Sequence, residues 1–245
     1  MGQNQGPGWD SAPPRKKHSM VLVPMDTKGV RLIRALKVFG YDDAPHGHAE
    51  VELSNVSVPV SSIIMGEGRG FEIAQGRLGP GRVHHCMRAV GMAERALSLH
   101  IKRTRERTAF GKQLSEHDGV RTSVANSRME IAQSRLLVMD CAAKLEELGL
   151  NGAIQEVSMI KVVVPTMACN VIDRAIQAHG GMGVSQDTFL AEAYAHIRTL
   201  RIADGPDEVH VRSVAKYEYR KSSPYSSGSV KRPSAPPAGG VRARL

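Results

Sequence analysis

Three short runs of this 245-residue chain carry residue types able to do chemistry. The first is Gln177-Ala178-His179-Gly180-Gly181-Met182-Gly183. Its glycines allow positive φ and close approach of backbone to a ligand, and their N–H groups can hold a phosphate or pyrophosphate. The same residues also suit a glycine cap and turn between two helices. No GxGxxG follows a strand and no P-loop occurs, so the run is not a dinucleotide fingerprint. The second run is Arg105-Glu106-Arg107-Thr108-Ala109-Phe110-Gly111-Lys112-Gln113. A guanidinium fork beside an aromatic ring can grip a pyrophosphate and stack on a base. The alternative is a solvated inter-helix turn with Phe110 plugging the core. The third run, Asp204-Gly205-Pro206-Asp207-Glu208, opens a last helix. Its carboxylates suit the positive end of a helix, or one of them can serve as a general base on a Gly-Pro turn.

Metal chemistry finds no support. A Glu-x-x-His pair, which di-iron bundles need, is absent. The pairs His84-His85 and His46-x-His48 read as surface or partner-contact histidines, and Asp207-x-x-His210 alone is weak. Three cysteines, Cys86, Cys141 and Cys169, with no CxxC, read as buried thiols in a reducing compartment.

The elements that must position these runs divide the chain. Residues 1–18 are rich in Gly, Pro and polar residues and are expected to be unordered. Residues 19–66 read as a partial β-domain, with strands at Ser19–Pro24, Val30–Val38 and Ala49–Val58. Residues 67–219 show helical periodicity, with helices near Arg82–Arg107, Ser115–Leu148, Ala153–His179 and Asp187–Ala203. Met87, Val90, Leu97 and Ile101 form the core stripe of the first helix, and Val124, Ile131, Val138 and Leu145 that of the second. Pro165 is expected to kink the third. Short connections imply antiparallel neighbours. The predicted fold is therefore mainly α, an antiparallel four-helix bundle preceded by the partial β-unit. Residues 220–245 are a basic Ser/Pro-rich tail, also expected to be unordered.

Composition narrows the function. The net charge of +9 resembles that of a nucleic-acid binder, but residues 221–245 hold five basic residues and no acid, which leaves the globular part near neutral. No basic helix interleaved with aromatics supports nucleic-acid binding. No run of 18 apolar residues is present to form a transmembrane segment.

Further residues join the three runs into one pattern. These are Gly40 through Asn55-Val56-Ser57-Val58-Pro59, Gly66-Glu67-Gly68-Arg69-Gly70-Phe71, and Arg82 with Ala89-Val90-Gly91. Next come Arg107-x-x-Phe110-Gly111, Gln177-x-x-Gly180-Gly181-x-Gly183, and Asp204, which lies 27 residues after Gln177. Over residues 19–219 this order resembles the acyl-CoA dehydrogenase family. The Asp-Gly-Pro-Asp-Glu-Val-His wording is most similar to the branch whose members carry an upstream aminoglycoside-phosphotransferase-like domain.

The resemblance implies FAD-dependent α,β-dehydrogenation of an acyl-CoA thioester. It implies Asp204 as the catalytic base, with its backbone N–H and a flavin hydroxyl polarising the thioester carbonyl. Arg107, Phe110, Gln177, Gly180 and Gly181 are implied contacts to the FAD of a neighbouring subunit, with Glu208 flanking the flavin. Arg82 and Gly205 fall on the substrate side. Implied partners are electron-transferring flavoprotein or oxygen as acceptor and further copies in a homo-dimer or tetramer. The implied setting is mitochondrial or peroxisomal, and the terminal Ala243-Arg244-Leu245 resembles a peroxisomal address. Several positions depart from the family pattern: Asp204 stands for the usual Glu, Pro206 for Thr or Ser, Asp118 for Gln, and Glu192 for a basic residue. The family's N-terminal helical domain and the first half of its β-domain have no counterpart, so a truncated form is expected. A non-catalytic oligomerisation or regulatory module, associating with full-length subunits, is the alternative. A flavin monooxygenase on the same fold is disfavoured by the carboxylate at 204.

Overall fold

The structure is a computed structural model, and it describes residues 1–43, 45 and 47–221. The tail that was expected to be unordered lies, from residue 222 on, outside the described residues.

Among the described residues the strands come as three separate antiparallel pairs. Strand β1 (Gly2–Gln3) pairs with β2 (His18–Ser19). The opening segment, expected to be unordered, thus carries a short ladder. Ser19 ties it to the helical part, donating to Asn4 Oδ1 at 2.7 Å and accepting from Gly68 N at 2.9 Å. Strands β3 (Val30–Leu36) and β4 (His48–Leu53) form the one extended hairpin, with a register shift between Leu32 and Arg34. The strand expected at Ser19–Pro24 shrinks to β2 and a single Val21–Ile63 bridge. No third strand joins the hairpin among the described residues, and Leu32 and Leu53 stand more than 60% exposed. This is a sheet whose apolar surface finds little cover among the described residues.

Helix α1 (Gly70–Glu106) starts twelve residues before the predicted start at Arg82 and runs through Gly76, Gly79, Pro80 and Gly81. Packing overrides propensity there. A Cβ at Gly70 would sit 2.9 Å from the His18 carbonyl oxygen, and one at Gly79 would sit 2.5 Å from Leu150. The small residues therefore let the helix start lie against its neighbours. A hairpin of β5 (Thr108–Ala109) and β6 (Lys112–Gln113) leads into α2 (Asp118–Gly152). The non-helical Gly149, at φ 67°, interrupts α2 where the sequence predicts a stop. Helix α3 (Ile154–His179) continues past the buried Pro165. Helices α4 (Leu190–Thr199) and α5 (Asp207–Lys221) complete the five.

Helices α1, α2 and α3 pack on one another, and α4 and α5 lie against α3. The core is built from Val90, Ala93, Leu97, Ile131, Val138, Ile160, Val164, Ile172 and Leu190. Met87, predicted on the α1 core stripe, is 38% exposed, and Cys86 takes the buried place beside it. All three cysteines are free and buried. Burial pushes the Cys86 thiol up to about 12 and Cys141 to about 11, so neither is a thiolate near neutral pH. Among the described residues no helix is long and apolar enough to cross a membrane. Among the described residues no three His, Cys, Asp or Glu side chains group to hold a metal ion.

Candidate active site

The predicted site residues fall at two ends of the bundle. At one end, the turns after α4 carry the chain to Ala203, whose N–H bonds the Thr199 carbonyl at 2.8 Å. The backbone then reverses through two positive-φ residues, Asp204 at 59° and Gly205 at 109°. Left-handed backbone costs least at Gly or Asp, which explains this pair of residue types at the turn. Asp207 closes the reversal: its N–H bonds the Arg201 carbonyl at 3.1 Å, and its Oδ2 accepts from Arg201 Nε at 2.7 Å.

Two cations from other helices clamp this loop by its carbonyls. Arg82 Nε of α1 donates to the Asp204 carbonyl at 2.9 Å. Lys161 Nζ of α3 donates to the Leu200 carbonyl, and to that of Ala203 at 2.8 Å. Lys161 is 1% exposed, and burial lowers its pKa. Among the described residues no carboxylate forms an ion pair with it, and its two hydrogen bonds go to backbone oxygens. The Asp204 N–H has no acceptor among the described residues.

The Asp204 carboxylate is 21% exposed, with Oδ2 3.5 Å from His85 Nε2. Burial lowers the His85 pKa and the Asp204 charge opposes that. His210 is buried beneath Gly205, where an added Cβ would come within 2.9 Å of its Nε2. Burial, then the charges of Arg82 and Lys161, lower the His210 pKa, so the ring is neutral at pH 7. His85, Ala203, Arg88 and Met92 line a cleft of about 580 Å³ that reaches to Val38 and His48 of the hairpin region. Asp43 joins the hairpin side to α4, lying 2.9 Å from His48 and 3.5 Å from His196. A second cleft of about 1020 Å³ opens at Arg82, with Arg15, Lys16, Arg69 and Phe71 on its walls.

The opposite end is built differently. Arg107 caps α1, and its side chain makes no hydrogen bond or ion pair among the described residues. Phe110 sits at φ 54° at the hairpin tip, 94% exposed, with its ring edge-on to His117 at 6.4 Å between centroids. The core-plug reading of Phe110 therefore fails, because the hairpin holds the ring off the bundle. Gln177 is exposed near the end of α3, and Gly180 caps that helix at φ 64°. Gly180 and Gly181 are exposed, with open space where a Cβ would stand. Gly183 is the glycine that packing demands, since a Cβ there would lie 2.6 Å from the Ile176 carbonyl oxygen. Helices α1 and α3 pack side by side, and burial, then the neighbouring His179 and Arg174, lower the pKa of His100 between them.

The structure thus brings together Asp204, Gly205, Arg82 and Glu208, the last exposed on the first turn of α5. It groups Arg107, Phe110, Gln177, Gly180 and Gly181 at the far end. From Arg82 to Arg107 the helix rises roughly 37 Å, at 1.5 Å per residue. Two site residues escaped the sequence reading. Lys161 was passed over, a single lysine within the largely apolar α3. His85 was grouped with His84 as a surface or partner-contact residue, although it reaches the Asp204 carboxylate.

The family model for the acyl-CoA dehydrogenase C-terminal domain matches residues 68–218. The chain belongs to the acyl-CoA dehydrogenase family. Rat acyl-CoA dehydrogenase family member 11 is 56% identical over 219 residues, which are 89% of this chain and 28% of that protein. A solved Mycobacterium abscessus relative superposes with TM-score 0.84 at 52% identity, over 86% of this chain and 52% of that one. The acyl-CoA dehydrogenase from Geobacillus kaustophilus follows with TM-score 0.74 at 31% identity, over 84% of this chain and 53% of its own. The chain spans about a quarter to a half of the length of these relatives.

Proposed function

We propose that this chain supplies the base-bearing half of an FAD-dependent enzyme that converts an acyl-CoA thioester to its 2-enoyl-CoA. The observation that carries this reading is the Asp204 turn, a part-buried carboxylate on a reversal clamped from two helices and opening beside a cleft. One hydrogen leaves the substrate as a proton from Cα and one as hydride from Cβ. Asp204 accepts the proton. Arg82 and Lys161 fix its backbone, so only the side-chain torsions place the carboxylate. This matters for an aspartate one methylene shorter than the family's glutamate, since a misplacement near 1 Å costs ~100-fold in rate. The Asp204 N–H is available to polarise the thioester carbonyl. Arg82 belongs to the substrate side, and the basic walls of the larger cleft suit the phosphates of coenzyme A.

Bound FAD supplies the hydride acceptor. The residues for it fit: an unpaired guanidinium at Arg107, an exposed ring at Phe110, and open backbone at Gly180 and Gly181 beside Gln177. They lie too far from Asp204 to serve the same flavin within one chain, so a neighbouring copy contributes them. Glu208 stays with the Asp204 end. Electron-transferring flavoprotein or oxygen as the acceptor, a mitochondrial or peroxisomal setting, and the branch with the upstream phosphotransferase-like domain belong to the same proposal.

The test is the visible spectrum of the purified chain after FAD is added and excess removed. A retained flavin band that acyl-CoA bleaches, with bleaching lost in Asp204→Asn while the flavin stays bound, supports the reading. Bleaching that survives in Asp204→Asn moves the base elsewhere. A folded, colourless protein favours the second reading, a non-catalytic module that inserts among full-length subunits. The exposed Arg107–Phe110 end favours that reading in turn. Co-expression with a full-length relative and sizing decides it, and the absence of a mixed species sinks it.

A further inference from the structure

A base that has taken a proton must lose it before it can act again. The Asp204 carboxylate is poorly placed to do so alone, being 21% exposed on a turn that two helices hold still. Arg82 and Lys161 reach this turn, but both hold their protons against its carbonyl oxygens and have no lone pair to offer. His85 is different. It lies one turn beyond Arg82 on α1, with Nε2 3.5 Å from Asp204 Oδ2. Among the described residues it is the one basic side chain within reach of that carboxylate. Its ring is 34% exposed on the wall of the cleft, more open than the carboxylate it faces.

We infer that His85 is the next station of the proton, taking it from Asp204 and passing it to solvent through the cleft. This role rests on Asp204 being the base. In the transfer the Asp204 O–H bond breaks as an N–H bond forms at Nε2, and Asp204 returns to the carboxylate. His85 becomes imidazolium and is restored when it releases a proton to solvent; no electrons move. The direction is favourable. An aspartic acid near about 3.9 hands a proton to an imidazole near about 6.5 with an equilibrium constant of about 400 in water. Burial of His85 takes part of that margin away, and the restored Asp204 charge opposes the loss. Arg88 and His84 on α1 and Lys161 on α3 reduce it further. Asp43, His48 and His196 stand across the same cleft. A pair brought closer to balance suits a relay, because a strong acceptor would keep the proton. The clamp leaves the Asp204 side-chain torsions free to close the gap, as such contacts do when substrate binds.

Deuterium wash-in reads this step without turnover. The probe is an acyl-CoA with sulfur in place of Cβ, which can lose the α proton but no hydride, incubated in D2O with the FAD-loaded chain. Wild type should gain deuterium at Cα and Asp204→Asn should not. His85→Gln should exchange at least about 10-fold more slowly, with helical circular dichroism unchanged. Free imidazole in the buffer should restore its rate. The wild-type rate should fall as the pH drops and His85 takes up its own proton, and that limb should vanish in His85→Gln. A histidine titration followed by NMR needs no flavin. There Asp204→Asn should move the His85 midpoint down by about 1 in pH. Wild-type exchange in His85→Gln, a slowed variant deaf to imidazole, or an unmoved His85 midpoint would each overturn the relay. Exchange that persists in Asp204→Asn would instead remove the base, and the relay with it.

Discussion

The Asp204 turn and the Phe110 hairpin are both short reversals at helix ends, yet they are finished in opposite ways. At Asp204 the carbonyls of three residues are taken up by Arg82 and Lys161, and Arg201 closes on Asp207. The turn is complete within the chain and offers outward only a carboxylate and an N–H. At Phe110 the ring is 94% exposed and meets only the edge of His117 among the described residues, and Gly180 and Gly181 face open space. On the proposed reading, the difference separates a site that needs rigidity, because a proton is to be taken at a fixed atom, from one that a neighbouring copy completes.

The largest expected effect comes from Lys161→Met. It keeps the volume but takes the charged donor from the Leu200 and Ala203 carbonyls, so urea unfolding should show a loss of roughly 2–4 kcal/mol. A midpoint within error of wild type would mean that the clamp is incidental. Next is a pair of glycine replacements. Gly205→Ala meets both a positive φ and the His210 ring and should cost about 1–2 kcal/mol. Gly181→Ala meets open space and should stay within about 0.5 kcal/mol. Equal losses at both sites would erase the distinction between the ends.

Acidity gives a smaller effect. Buried His100 and His210 have lowered pKa values, with burial as the first cause. Between the ordinary histidine value and those lowered values, the unfolded chain binds protons that the folded chain does not. Stability is therefore full above about pH 6.5 and falls as the pH drops below it. Denaturant midpoints at pH 7.5 and 5.5 check the sign, and His210→Gln should flatten the slope. The smallest effect on stability is Phe110→Ala, expected within about 0.5 kcal/mol for so exposed a ring. The same variant should retain less FAD after gel filtration. A large drop in stability with unchanged retention would return Phe110 to a structural role.

Much of this was legible in residue types and spacing. The helical half announced itself by its period, and Gly149 marked the break in α2. The Asp204 turn was visible as a Gly-Pro turn opening a last helix, and its two positive-φ residues are of the types that tolerate them. The start of α1 was not visible, because Gly70–Gly81 lacks helix propensity and is held by contacts with β2 and Leu150, remote in sequence. Lys161 and His85 were missed for a related reason. A buried cation that binds only carbonyl oxygens has no sequence partner to advertise it, and a histidine that meets a remote aspartate resembles any other until the fold brings them together.

The hidden thiols give the molecule an internal clock. Cys86, Cys141 and Cys169 are buried in the bundle, and Cys86 and Cys141 would ionise only far above neutral pH. A thiol reagent can therefore reach them only when helices part. The labelling rate then counts openings of the bundle, as amide exchange does for single hydrogen bonds. Because one of the three sits on each of α1, α2 and α3, the order in which they react would show which helix lets go first.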